Sequence, residues 1–303
     1  MNVIITGSTG FIGSHLVPAL ARDNNNLLLV VRSLKKTNKL KLNLDNTNIK
    51  YVVYKQNSKI NELINNFKRF KPDLIIHLAT CYLNAHQIEN IDNLIQSNII
   101  FGTKIIEAGI MAGCKRIINT STIWEYYLDK KIPVNFYAAT KAAFDQILNF
   151  YYSAYQLIVI NLYLSDTYGE DDHRKKLIPL ILKEMFKPNT LQLTSGKQKL
   201  ELFHIQDIVR LYQQTATKIL KIKKPTKVNF FPKGEQFSIR DLILIFKQST
   251  KSPLKFNFFA IPDRPREVFK ISKGVSDIKI NWKIKNKIAK FFSDQFKLNN
   301  EFK

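Results

Sequence analysis

Cysteine is scarce in this chain: Cys81 and Cys114 are the two in 303 residues, and they show no metal-ligand spacing. That excludes a disulfide scaffold and makes a reducing cytoplasm the expected setting, with no metal site. No apolar run reaches the length of a bilayer span, so membrane insertion is not expected. The opening MNVIITGS lacks a charged n-region and a cleavage site, and it does not read as a signal peptide. Acidic residues are few, 24 against 47 basic, for a net charge of +23. Such a surplus points toward nucleic acid or another polyanion. Yet 38 of those basic residues are Lys, scattered among Asn and Ile, and no compact nucleic-acid recognition motif is present. Nucleic-acid binding is therefore not expected, while a polyanionic substrate is compatible with the charge. Internal repeats and low-complexity linkers are also missing.

What is present is a regular alternation of apolar runs and helical stretches. NVIIT is followed by a glycine turn and the helical SHLVPALARD, then come LLLVV and IKYVVY, a helix over 59–70, and PDLIIHLAT. A long helical stretch over 85–112 precedes KRIINTST, a helix around Tyr137, and YQLIVINLY. Unbroken apolar strands suit a parallel sheet buried on both faces. The pattern predicts an α/β fold, a doubly wound parallel sheet of the Rossmann kind with right-handed crossovers. Beyond about residue 165 the rhythm breaks. Residues 1–165, with 200–232 returning to them, form the expected dinucleotide-binding domain. Residues 166–199 and 233–303 form a smaller α/β substrate domain.

In TGSTGFIGS, Gly7, Gly10 and Gly13 follow a strand directly and open a helix. Such glycines permit a tight turn, close approach of backbone to a pyrophosphate, and close packing of helix on strand. The helix N-terminus adds free N–H groups for the phosphates. Counting 19 residues beyond Gly13 reaches Arg32, in VVRSLKK, with no acidic residue nearby. An Arg beside Ser33, Lys35 and Lys36 suits a ribose 2′-phosphate, which favours NADP(H); NAD(H) remains possible if Arg32 stacks on adenine or sits in solvent. Farther on, NFYAATKAAFDQ puts Tyr137 and Lys141 one helical turn apart on one face. The pair reads either as a solvated face with a snorkelling Lys or as a proton-transfer device, with the ammonium lowering the phenol pKa.

Together, the glycine turn and the later Y-x-x-x-K resemble the extended short-chain dehydrogenase/reductase family of sugar-nucleotide epimerases, dehydratases and ketoreductases. PDLIIHLAT is similar to the family's fourth strand, which ends beside the nicotinamide. SNIIFGTKIIEA resembles its Asn-plus-Gly-Thr helix motif, and TSTIWEYY its catalytic Ser/Thr block. TYGE, LFHIQDIV and DRPREVF resemble later blocks. The resemblance implies catalysis by Thr122 (Ser121 as runner-up), Tyr137 and Lys141. It implies a cofactor held by Gly7, Thr9, Gly10, Phe11, Ile12, Gly13, Arg32, Leu78, Ala79, Asn98 and Lys141, with Asn98 as the family's structural asparagine. Substrate contacts are expected from Thr122, Tyr137, Asp166, Lys197 and Arg264, with Arg266 and the GEDDHRKKL segment as further grips on a diphosphate. Relatives commonly dimerise through the helices equivalent to 86–112 and 136–155, so a homodimer is expected.

Three departures refine this. Dehydratases follow the catalytic Thr with an Asp-Glu pair, whereas this chain has Ile123-Trp124, so elimination is disfavoured for want of a placed acid and base. Asp166 stands where an Asn is usual. Leu200-Glu201 replaces a usual Arg-Asp, with Lys197 or Lys199 as candidate replacements. Within the family, LTSGKQKLELFHIQDI is most similar to the CDP-abequose/CDP-paratose synthase-like ketoreductases. The implied activity is NADPH-dependent reduction of the C4 ketone of a nucleotide-linked deoxysugar, CDP-4-keto-3,6-dideoxyglucose-like, in O-antigen polysaccharide biosynthesis. Alternatives are an NAD-retaining nucleotide-sugar 4-epimerase and a non-catalytic dinucleotide sensor. His77, His204, Cys81 and both Trp residues read as packing residues.

Overall fold

Strands at the centre of the chain are built from β-branched and leucine residues that point alternately to two faces, and each face needs a cover. The computed structural model describes residues 1–40, 48–56 and 58–300. In it, β1 (Asn2–Thr6), β2 (Asn26–Val31), β3 (Ile49–Val53), β4 (Leu74–His77), β5 (Arg116–Thr122) and β6 (Ile158–Leu164) join a later strand, Thr226–Phe230, in one seven-stranded sheet. All its pairings are parallel. That later strand lies beside β6, and β3 forms the other edge.

Val3 and Ile5 of β1 face one way, onto Leu16 and Leu20 of helix α1 (Phe11–Arg22). Ile4 faces the other, toward Leu63 and Phe67 of α2 (Ile60–Phe70). After α3 (Ile91–Ile95), a π-helical turn at Gln96–Ile100 leads into α4 (Phe101–Met111). Helix α5 (Phe136–Tyr155) packs beside it through Phe144 and Leu148, capped at its start by the Asn135 side chain, which accepts from Ala138 N–H at 2.9 Å. The single helix expected over 85–112 is thus interrupted. The Asn98 side chain is fully engaged with residues outside its helix, and the local widening of the turn accompanies that engagement.

The remaining elements gather elsewhere. They are β7 (Asp166–Tyr168), α6 (Leu177–Glu184), β8 (Thr190–Gln192), β9 (Lys199–His204), α7 (Ile205–Leu220), β10 (the Thr226–Phe230 strand), β11 (Glu235–Ser238), α8 (Ile239–Ser249), β12 (Lys255–Asn257) and α9 (Ile288–Asn300). β11, β9 and β7 make a three-stranded sheet, and β8 pairs with β12. A separate apolar cluster holds them, with Tyr168, Ile181, Phe246 and Phe292 fully buried. Two of these are exceptions: β10 is an edge strand of the main sheet, and Ile208, Leu211 and Tyr212 of α7 return to that sheet on the α1 side.

At β1 the strand order reverses, with β2 and β3 on one side and β4 to β6 on the other. In such sheets a crevice opens at the carboxyl ends of the strands where the order switches.

Candidate active site

A cavity of about 590 Å³ occupies that crevice, and every strand of the sheet except β10 contributes residues at its carboxyl end. The glycine turn forms one end. Gly7 has φ +70°, in the left-handed region where glycine is favoured, and a Cβ there would lie 2.6 Å from Ala79 N. A Cβ on Gly10 would meet only Gly7 O, at 3.2 Å, so this turn presents bare backbone to open space. No side chain caps the N-terminus of α1, which leaves its first N–H groups free for an anion. These features fit a dinucleotide pyrophosphate. Gly7, Thr9, Gly10, Phe11, Ile12 and Gly13 all line the cavity, as do Leu78 and Ala79. Arg32 lines it too, exposed at the end of β2, with Lys55 and Lys104 as further basic residues at the cavity. Lys104 also lies 5.9 Å over the Tyr54 ring. The Lys36 side chain falls outside the described residues.

At the other end, Thr122 and Tyr137 share the wall. Thr122 ends β5, and its Oγ1 accepts from Trp124 N–H at 3.3 Å, which leaves its own proton to donate. The Ser121 hydroxyl is already given to Glu125 Oε1, so Thr122 is the better placed donor. Tyr137 stands in the first turn of α5, 9% exposed, with the Tyr82 ring edge-on at 5.1 Å. Tyr82 in turn lies 6.0 Å from the Trp124 ring. Trp124 was expected to be a packing residue; it lines the cavity.

Burial pushes the Tyr137 phenol far above its ordinary pKa, and the Glu125 and Asp166 carboxylates add to this while Thr80 opposes it. The lowered phenol expected from the i, i+4 lysine is therefore corrected. Spacing sets the turn, but desolvation outweighs it. Lys141 is 3% exposed and does not reach the cavity lining among the described residues. Its own pKa is brought down to about 8 by burial, with Glu125 pushing it up.

Asn98, expected as a cofactor contact and as the family's structural asparagine, acts here in the second way. Its Oδ1 accepts from Cys81 N–H (2.6 Å) and the Thr80 hydroxyl (3.1 Å), and its Nδ2 donates to Cys81 O (3.0 Å) and Thr140 Oγ1 (2.9 Å). With both ends spent, it pins the loop after β4 to α5. His77, beneath the cofactor end, is fully buried between Phe101 and Phe144. Thr6 Oγ1 accepts from Ala79 N–H (3.2 Å) and shares a hydrogen bond with His77 Nδ1 at 2.9 Å. Burial, with Lys141 adding to it, holds the imidazole pKa down at about 3. Below the ordinary value near 6.5 the unfolded chain takes up a proton the folded one refuses, so stability falls as pH drops from there toward 3. The slope is about 1.4 kcal/mol per pH unit. Denaturant unfolding of wild type and His77→Leu at neutral pH and at about pH 5 checks this. The variant is expected to lose less stability on acidification, and equal losses would count against it.

On the substrate side only some of the expected basic groups reach the cavity. Lys197 is exposed in a turn, with its N–H on Ser195 Oγ, and Arg264 is held bidentately by Glu267 at 2.9 and 3.1 Å. Neither lines the cavity among the described residues, although Arg264 lies close enough to act electrostatically on Tyr82. Two residues of the GEDDHRKKL segment do line it. Arg174 is fixed by Asp172 and by Thr167 O, each at 2.7 Å, and lies 4.1 Å over the Phe11 ring. Lys176 pairs with Asp166 at 2.6 Å and sits 4.8 Å over Tyr82. Asp166 is thus at the cavity, but bound to an ammonium. Among the described residues no cluster of three or more His, Cys, Asp or Glu could hold a metal, and no helix is long and apolar enough to cross a membrane.

A glycine cradle at a parallel-sheet switch point, joined by one cavity to a Thr/Tyr pair, defines a dinucleotide-dependent oxidoreductase site on a Rossmann fold. Residues 3–230 match the NAD dependent epimerase/dehydratase family, and the chain belongs to that family. It is accordingly an enzyme of the NAD(P)-dependent oxidoreductase type. It is similar to a CDP-abequose synthase of Yersinia pseudotuberculosis, at 31% identity over 69% of this chain and 71% of that one. A CDP-abequose synthase of Salmonella typhimurium is 25% identical over 93% and 92%. In fold it is similar to a UDP-N-acetylglucosamine 4-epimerase of Methanobrevibacter ruminantium, with TM-score 0.81 and 20% identity over 100% of this chain and 99% of that one.

Proposed function

We propose that the protein reduces the C4 ketone of a nucleotide-linked deoxysugar, drawing hydride from NADPH. One observation carries the reading. The cavity that holds the glycine cradle also presents Thr122 and Tyr137, and the residues after Thr122 are Ile123 and Trp124 rather than a carboxyl pair. An elimination needs an acid and a base at that place; a reduction needs only a proton donor. The likeness to CDP-abequose synthases supports a sugar-nucleotide substrate.

When bound, the cofactor supplies hydride to the carbonyl carbon. Tyr137 gives the carbonyl oxygen its proton, and because burial holds its pKa high it is fully protonated at neutral pH. Thr122 donates a hydrogen bond to the same oxygen and fixes its position. Lys141, which the family resemblance assigns to the nicotinamide ribose, stands buried behind the cavity wall one turn from Tyr137. Carbon gains hydride, oxygen gains a proton, and the ketone becomes a secondary alcohol. Trp124 and Tyr82 form an aromatic wall suited to a sugar poor in hydroxyls, and Arg174 and Lys176 grip the diphosphate, with Arg264 at the periphery. In this reading residues 166–199 and 233–303 supply the substrate side.

Arg32, with no acidic residue near the end of β2, selects NADPH through the 2′-phosphate. Arg32→Ala is expected to weaken NADPH binding about tenfold to a hundredfold, the worth of a charge-assisted hydrogen bond or two, while NADH binding stays unchanged. Fluorescence titration of both cofactors reads this. Equal effects on the two, or tight NAD retained through purification regardless of Arg32, favours the 4-epimerase instead.

A further inference from the structure

Arg174 and Lys176, two residues apart in the segment between β7 and α6, face different ends of the cavity. Lys176 belongs to the catalytic end. Its ammonium pairs with Asp166 and sits 4.8 Å over Tyr82, whose ring meets Tyr137 edge-on. Arg174 stands against the cofactor end. Its guanidinium lies 4.1 Å over the ring of Phe11, the first residue of α1, which follows directly on Gly10 of the glycine turn. A segment from the substrate side of the fold thus lays one side chain on the cradle.

That side chain has little freedom. Nε and Nη2 donate to the two Asp172 oxygens, and Nη2 donates also to Thr167 O, each at 2.7 Å. The Asp172 side chain is 2% exposed and accepts from the Arg174 backbone N–H at 3.1 Å as well, so it sets both the loop and the guanidinium. The Phe11 ring beneath is fixed in turn. His15 meets it edge-on at 5.2 Å, and His15 Nδ1 lies 2.9 Å from Phe11 O. Nη1 makes no hydrogen bond among the described residues, and the Arg174 side chain keeps 32% of its surface open. A guanidinium with one face on a ring and two nitrogens spent loses little rotamer entropy when its third nitrogen takes an anion. The N-terminus of α1 beside it has no side-chain cap and no acidic residue in its first turn.

We infer that Arg174 closes over the pyrophosphate of the bound dinucleotide, a cofactor contact lent by the substrate segment in addition to its place beside the substrate's diphosphate. The inference rests on the glycine cradle and not on the reductase reading. Asp172 offsets the net charge of Arg174, so the contact works through directed, charge-assisted N–H groups rather than a long-range field. Its signature follows from the chemistry of the ligand. Both nicotinamide cofactors carry the same pyrophosphate, so Arg174 serves NADPH and NADH alike, whereas Arg32 distinguishes them.

The test is fluorescence titration of NADPH and of NADH on Arg174→Met, with no sugar nucleotide present. Both cofactors are expected to bind about tenfold more weakly, the worth of one charge-assisted hydrogen bond. Arg174→Lys, which keeps the charge without the fork, should recover only part of that loss. Removing the arginine orphans the buried Asp172 carboxylate, so Arg174→Met is also made together with Asp172→Asn, and thermal unfolding identifies the folded variants. Unchanged affinity for both cofactors in a folded variant overturns the inference and leaves Arg174 to the substrate. A loss confined to NADPH overturns it too, because it would put Arg174 at the 2′-phosphate. An enzyme inactive on every 4-keto sugar counts against the reductase reading alone, since these titrations contain no sugar.

Discussion

Tyr137→Phe lowers turnover by on the order of a hundredfold to ten-thousandfold, the usual loss when a positioned general acid is removed. NADPH binding survives with little change, because the ring still packs against Tyr82 and the glycine cradle is untouched. The hydroxyl is the only atom lost. Tyr137 lies on the cavity wall and its burial keeps the phenol protonated, so the substitution removes the proton without remodelling the space. Single-turnover kinetics with NADPH and a 4-keto sugar, beside a cofactor titration, give the two numbers. Unchanged turnover would remove Tyr137 from the mechanism, and the Thr122 hydroxyl would become the donor to test next.

Gly13→Ala is expected to be nearly as severe by another route. A Cβ at Gly13 would lie 2.3 Å from Gly7 O, 2.6 Å from Ser8 Cα and 2.7 Å from Ser8 C. Every one of these is backbone, so no side chain can rotate away and the turn itself must open. Overpacking of this kind costs about 1–3 kcal/mol in stability. Moving the pyrophosphate cradle by an ångström costs on the order of a hundredfold in cofactor-dependent activity. Gly10→Ala is the internal comparison, since its added Cβ meets Gly7 O alone, at 3.2 Å. Melting curves and NADPH titrations of the two variants should rank Gly13→Ala well below Gly10→Ala. The reverse order would mean that close packing of helix on strand is not what the third glycine provides.

The sheet was legible because runs such as LIIH and IVINLYL admit no other cover than two faces of helices, and their order in the chain follows the crossover rule. The glycine turn was legible for a related reason: glycine spacing encodes a backbone requirement that is local. What escaped depends on contacts between distant residues. The π-helical turn at Gln96–Ile100 accompanies hydrogen bonds between Asn98 and Thr80, Cys81 and Thr140, which no local periodicity reveals. Arg264 and Lys197 were placed by their positions in the chain, but Glu267 and the turn at Ser195 hold them elsewhere. The GEDDHRKKL segment was named as a grip, but which of its residues stand at the cavity, Arg174 and Lys176, is set by their pairing with Asp172 and Asp166. The i, i+4 relation of Tyr137 and Lys141 was correct as geometry, and the sign of the phenol shift was not, since a sequence does not display burial. Glu125 had a readable signal: Thr122-x-x-Glu125 is a capping box written in the chain.

The most direct measurement is NADPH oxidation by the purified enzyme with CDP-, dTDP- and UDP-linked 4-keto deoxysugars, with the sugar product analysed in the same tube. Stoichiometric loss of NADPH is expected, with one secondary alcohol formed at C4 per cofactor consumed and no such loss in Tyr137→Phe. Interconversion of C4 epimers with no net change in the nicotinamide would contradict it.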